Sequence, residues 1–259
     1  MKFTFPIAVA VVCLLAACSK SNDDKTPPEV NPPAGEVVKT GVYTINNMVA
    51  DTSATSAINA ATIYYSLEYN KIIPASQAQT ANWDIAFTGI YNSSIAPNNG
   101  KAPNSPGFGG PGQGAVYLVL DKDAEAAFDP VKLQPVKIPI AANLFDVSFN
   151  AVKTVTIPET DFVSNDYIGL DHFMGTGNGY AYYDFYGALF PGNTKKTHIV
   201  YTLPRTVLVK TAKGKYAKLQ ITSVYKDSPA DPNRDNKTGY MSFRYAIQMD
   251  GSKQLDISK

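Results

Sequence analysis

Apolar and polar side chains alternate strictly, residue by residue, in several separate segments, and a period of two belongs to strands. In Thr62–Tyr69, Ile63, Tyr65, Leu67 and Tyr69 share one face, with Tyr64, Ser66 and Glu68 on the other. Trp83, Ile85 and Phe87 share a face in the next run. Tyr216–Tyr225 turns Ala217, Leu219, Ile221 and Tyr225 inward and Lys218, Gln220 and Thr222 outward. A last run sets Met241, Phe243, Tyr245, Ile247 and Met249 against Ser242, Arg244, Ala246 and Gln248. Such segments demand a sheet with one buried face, whereas the continuous apolar runs Ala115–Leu120 and Thr206–Lys210 suit strands covered on both sides.

Helical patterning is scarce. Ala54–Ala61 is a candidate short helix, but its apolar residues form no stripe. Lys213-Gly214 reads as a tight turn between two strands. The expected architecture is therefore all-β: a single, antiparallel-rich domain with long loops. Two of those loops, the Gly/Pro/Asn-rich Asn92–Gly114 and the glycine-rich Gly169–Gly179, sit where binding usually resides on a β scaffold.

The N-terminus has a different grammar. Lys2 is followed by an apolar stretch, Phe5 to Leu15, too short to span a bilayer, and then by Ala16-Ala17-Cys18. Leu15-Ala16-Ala17-Cys18 resembles the lipobox of bacterial lipoproteins, which implies a signal peptide at residues 1–17 and diacylglyceryl attachment at Cys18. Residues 18–35 contain almost no apolar side chain and four prolines, the composition of an extended tether. Asp23-Asp24 resembles the acidic signal that sends Bacteroidetes lipoproteins to the cell surface. The folded domain is expected over residues 36–259, held to the membrane by lipid.

Much chemistry is excluded by what this domain lacks. The chain has two cysteines, and both Cys13 and Cys18 precede the domain, leaving it no disulfide, thiolate metal site or cysteine nucleophile. Losing Lys2 with the signal takes the formal net charge from +1 to zero, so no basic excess exists to hold a nucleic acid. Neither a G-x-S-x-G elbow nor an H-E-x-x-H helix is present, and Gly107–Gly114 lacks the Lys-Ser/Thr of a phosphate loop. The chain reads as non-catalytic. Asp231, Asn233 and Asp235 space oxygen donors as calcium loops do, but Asn236 stands where glycine is expected and Ser242 where glutamate is. A long hairpin loop would use the same residues.

Three stretches carry a family resemblance: Asn82-Trp83-Asp84-Ile85-Ala86-Phe87 with Gly114-Ala115-Val116-Tyr117 after its loop; Arg205–Ile221, RTVLVKTAKGKYAKLQI; and Gly239–Tyr245, GYMSFRY. Together, and in this order, they resemble the HmuY family of haem-binding lipoproteins from Bacteroidetes. The resemblance implies an all-β fold and an outer-membrane lipoprotein displayed at the surface. Haem would be captured there, free or from host haem proteins, and passed to a TonB-dependent outer-membrane haem receptor. The family's best-known member holds the iron between two histidines on separate loops, and some relatives use methionines.

Six-coordinate haem needs two axial donors from different segments, normally His or Met. The sequence offers two histidines, His172 and His198, and after the signal Met48, Met174, Met241 and Met249. His172 and Met174 lie two residues apart in a glycine-rich loop, so one of them can ligate but not both. His198, if on a strand, faces with Val200 and Thr202. The family's second histidine follows a strand resembling Tyr182-Tyr183-Asp184-Phe185, and the matching place here is Tyr186-Gly187, which makes the Tyr186 phenolate a further candidate. The haem candidates are His172, Met174, His198 and Tyr186. The competing reading is a non-catalytic scaffold that binds a glycan, peptide or partner protein through its tyrosines.

Overall fold

The computed structural model describes residues 35–257 except 52, 54–58 and 172–177. Among the described residues, fourteen strands run in the order β1 (Gly41–Val49), β2 (Ile63–Ser66), β3 (Lys71–Ile73), β4 (Ile85–Thr88), β5 (Ser94–Pro97), β6 (Ala115–Val119) and β7 (Phe128–Asp129). They continue as β8 (Gln134–Pro135), β9 (Leu170–Asp171), β10 (Ala181–Asp184), β11 (Ile199–Thr202), β12 (Thr206–Lys210), β13 (Tyr216–Tyr225) and β14 (Thr238–Gln248). A helix, α1 (Ala142–Ala151), stands between β8 and β9. The Cys18 anchor, the residue 1–17 signal and the tether up to residue 34 lie outside the described residues, as does most of the Ala54–Ala61 helix candidate.

The largest sheet has the order β1-β14-β13-β12-β6, every neighbour antiparallel. A four-stranded antiparallel sheet, β3-β2-β4-β5, packs against it. Their shared core holds Tyr65, Ile85, Phe87 and Ile95 from one side and Leu219, Ile221, Phe243 and Tyr245 from the other. Phe243 meets the Tyr65 ring edge-on, with centroids 5.3 Å apart, and lies 5.4 Å from Phe87. The inward alternation read over Ala217–Ile221 and Met241–Ile247 is therefore this core, whereas Tyr225, beyond register shifts at Ser223 and Tyr225, packs in a separate cluster with Tyr182, Ile199 and Tyr201. A third sheet, β11-β10-β9, pairs Tyr183 with Val200 antiparallel and adds β9 parallel to β10.

Three expectations from the alternation need correction. Lys218 and Gln220 do not face solvent: both are buried beneath α1. Lys218 Nζ donates to the carbonyls of Phe149 and Val152 at the helix end, and Gln220 Nε2 to Ser148 Oγ. The polar face of β13 is thus a bonding surface for a helix. Likewise Ser66 and Glu68 are buried, because Glu68 takes Lys213 and Lys215 of the β12–β13 loop as ion partners. Trp83 precedes β4 and leaves the Ile85/Phe87 face for a small cluster with Ile73 and Ala86, where its Nε1 donates to the Ala78 carbonyl.

The motif residues meet in one clasp. Asp84 Oδ2 accepts from the amides of Leu67 and Glu68, and Oδ1 from the Ala212 amide in the β12–β13 loop. One buried carboxylate thereby ties the two sheets together. The edge strand β1 carries a bulge between Ile45 and Met48, with Asn47 at φ 54. Asn47 exchanges hydrogen bonds with Asp227, its Nδ2 donating to Oδ1 and its Oδ1 accepting from the Asp227 amide.

Candidate functional site

A cavity of about 530 Å³ opens beside the β9–β11 sheet, within the size range of small-molecule and cofactor sites. Tyr183 of β10 and Val200 of β11 form one wall, Val224 and Tyr225 of β13 another, and Leu170 of β9 a third. Ile90, Tyr91 and Tyr167 stand at the mouth, 54%, 44% and 53% exposed. What holds Ile90 and Tyr91 outward is a run of left-handed backbone, with Gly89 at φ 71, Tyr91 at φ 47 and Asn92 at φ 59. Bulky residues avoid this region unless the surroundings enforce it. The buried Asn92 does so: its Nδ2 donates to the carbonyls of Ala61 and Phe87, and its Oδ1 accepts from the Asp51 amide.

His198 lines this cavity at the entrance to β11. It precedes the strand at φ 58, its amide donating to the Phe185 carbonyl at 3.3 Å, so it turns out of the ladder rather than alternating within it. Its Nδ1 lies 2.9 Å from the Tyr183 hydroxyl, and the Phe185 ring meets the imidazole edge-on with centroids 4.4 Å apart. Burial raises the Tyr183 pKa above the ordinary phenol value, with the nearby Arg234 opposing. The phenol is thus neutral around pH 7 and can donate to Nδ1 or accept from it. When it accepts, Nδ1 carries the hydrogen and Nε2 presents its lone pair, the arrangement a metal-ligating imidazole uses. Among the described residues, Nε2 has no hydrogen-bond partner.

The other candidates fall in different places. His172 and Met174 lie outside the described residues, and only their neighbours in the chain can be placed. Leu170 lines the cavity, Asp171 pairs with Tyr182, and Arg205 Nη1 donates to the Gly179 carbonyl at 2.6 Å. Tyr186 sits in the turn after β10, 70% exposed, its ring edge-on to Phe185 at 4.8 Å, and it does not line the cavity. Met48 and Met241 are core residues, and Met249 is partly buried against the same core.

In the calcium-like stretch, lysines hold both carboxylates: Lys196 Nζ bonds Asp231 Oδ1, and Lys195 Nζ bonds Asp235 Oδ2 at 2.6 Å. Asn233 Oδ1 accepts from the Asp235 amide. The two side-chain cations stand where a metal ion would otherwise neutralise the loop. Among the described residues no three His, Cys, Asp or Glu side chains converge on a metal position.

The Asn92–Gly114 stretch, expected to be a binding loop, contains strand β5 and places Ser93 and Ser94 on the cavity, while its Gly-rich remainder is largely packing. Asn98 Nδ2 donates to the carbonyls of Thr80 and Trp83, and the glycines close around its amide oxygen, Oδ1. A Cβ at Gly107 would lie 2.1 Å from Asn98 Oδ1, and one at Gly112 2.4 Å. These glycines serve close approach of backbone to a buried amide. Sequence reasoning passed over Tyr183 and Arg234 as site residues. The abundance of tyrosine pointed to aromatic surfaces without singling out a ring, and Arg234 was hidden inside a motif read for its oxygens.

The family model described as HmuY protein matches residues 59–245. Among solved structures, a HmuY-like heme binding protein from Bacteroides vulgatus is similar at 14% identity, covering 82% of this chain and 97% of that one, with a TM-score of 0.36. The apo HmuY analog of Tannerella forsythia is similar at 15% identity, over 82% and 98%, with a TM-score of 0.35. No curated protein matches.

Proposed function

The chain belongs to the HmuY family, and from that membership we propose that it binds haem in the cavity lined by His198. The observation carrying this reading is His198 itself: an imidazole on an aromatic-walled cavity, one nitrogen engaged by Tyr183 and the other without a partner among the described residues. The donor set fits the group, since an Nε2 lone pair is a ligand for haem iron and the apolar walls suit a porphyrin. Bound there, haem would supply an iron to ligate, and the role is capture without catalysis. The second axial donor would come from His172 or Met174, whose segment starts one residue beyond the cavity-lining strand β9. Tyr186 is the weaker candidate, because its turn lies away from the cavity lining.

The remainder of the reading rests on the sequence. Lipid at Cys18 and the tether would hold the domain at the outer membrane. Among the described residues no helix is long and apolar enough to cross a membrane. Surface display would give access to host haem proteins, and a TonB-dependent receptor would take the haem onward.

Titrating the protein with haemin and following the Soret band in both redox states tests this. A saturable shift at one equivalent is expected, and His198→Ala should alter the Soret position and the reduced visible bands. A featureless, non-saturating response would remove the haem reading. The exposed Ile90, Tyr91 and Tyr167 favour, as second reading, a scaffold for a glycan, peptide or partner protein; binding to a polysaccharide array without any haem response would establish that instead.

A further inference from the structure

The 231–236 stretch sorts its charges. Asp231 and Asp235 are each taken by a lysine, Lys196 and Lys195 respectively. Arg234, between them, is exposed and lines the cavity; its Nη1 donates to Thr197 Oγ1 at 3.2 Å, placing the guanidinium next to the residue that precedes His198. Among the described residues it has no carboxylate partner within ion-pair distance, and no acidic side chain lines the cavity. The chain as a whole is almost neutral, so a cavity carrying a guanidinium and no acid is a local bias rather than a reflection of bulk charge. The polar side chains of Asn233 and Asn236 flank it, and the opposite walls are apolar.

We propose that Arg234 is the residue that recognises a carboxylate on the ligand, so that the cavity selects a flat apolar body with an anionic edge. The inference rests on the haem reading and deepens it: a guanidinium offers a carboxylate two parallel N–H donors, and one of Arg234's is already used to hold the fork in place. The backbone supports this, because the Arg234 amide donates to the Lys195 carbonyl at 2.9 Å, pinning the loop to the segment leading into β11. Charge at the cavity edge thus orients the ligand, and His198 meets its centre.

The test compares iron(III) protoporphyrin with its dimethyl ester, which keeps the ring and iron but has no carboxylate, on the wild-type protein and on Arg234→Gln. The same pair without iron, followed by fluorescence quenching, gives a readout independent of axial ligation. Wild-type protein should bind the free acid about tenfold more tightly than the ester, the scale of one charge-assisted pair. R234Q should bind both alike, with its affinity for the ester unchanged, which also shows that the variant is folded. Equal binding of acid and ester by the wild type, or a preference that survives in R234Q, would overturn the role of Arg234 while leaving haem binding intact. If neither form binds the wild type saturably, the haem reading fails and this inference with it.

Discussion

Lys218 shows how a single side chain can be necessary and costly together. Its ammonium is buried between β13 and α1, over the Phe149 ring, and burial pulls its pKa down to about 8. Between that value and the ordinary 10.5 the unfolded chain holds a proton that the folded one has released, so stability should rise with pH across this window. The neutral amine still has two hydrogens for the two helix-end carbonyls. Lys218→Met should lose that rise, and by stranding the carbonyls should destabilise the fold by about 1–3 kcal/mol in denaturant unfolding near pH 7. Asp84 titrates with the opposite sign. Burial, then repulsion from Glu68, push it up to about 6, so its contribution is complete below the ordinary value near 4 and lost as pH rises through about 6. Asp84→Asn should flatten unfolding midpoints between pH 4 and 6. On the haem reading, Tyr183→Phe removes the partner of His198 Nδ1 and should weaken ferric haem binding by about 10- to 100-fold, with a shifted reduced spectrum. An unchanged spectrum would mean that the hydroxyl does not set the imidazole's tautomer.

At the level of elements, the strands were legible because their apolar faces keep a period of two: β13 and β14 occur where the alternation places them. What the alternation could not reveal was that the polar face is also covered. Helix α1 escaped detection because Ala141 gives it no side-chain cap and no acidic residue marks its first turn. It is held from below, with Arg244 donating to Asp146 and the Phe145 carbonyl while Lys218 closes its other end. Polar residues on a strand thus mark a docking surface for a helix as readily as a solvent-facing side. The site was partly legible for the same reason. His198 was recognisable by residue type, but its partner Tyr183 meets it only across the β10–β11 pairing, 15 positions away in sequence. The Asn92–Gly114 loop misled because glycine serves close packing as readily as binding. Gly107→Ala tests this: its methyl would press on Asn98, so a loss of about 1–3 kcal/mol is expected with little effect on haem affinity.

On the scale of the whole molecule, the buried Arg205 links parts that no sheet joins. Its Nε and Nη2 donate to Glu125, Nη1 donates to the Gly179 carbonyl and lies 3.9 Å from Asp171, and the guanidinium covers the Phe128 ring. Arg205→Met should cost about 3–5 kcal/mol, the range for breaking a buried ion pair, and on the haem reading should also weaken haem binding, because Arg205 holds Gly179 and Asp171 beside the cavity-lining Leu170. Loss of stability without any loss of affinity would show that these contacts do not support the site. The bulge in β1 has its own consequence. A row of unpaired amides along a sheet margin invites a second copy to extend the sheet, and the danger grows when many copies share one surface. With Asn47 turned left-handed and tied to Asp227, the row is broken midway and a flat, continuous template is denied to any neighbour. The protein can therefore be crowded without polymerising through that margin.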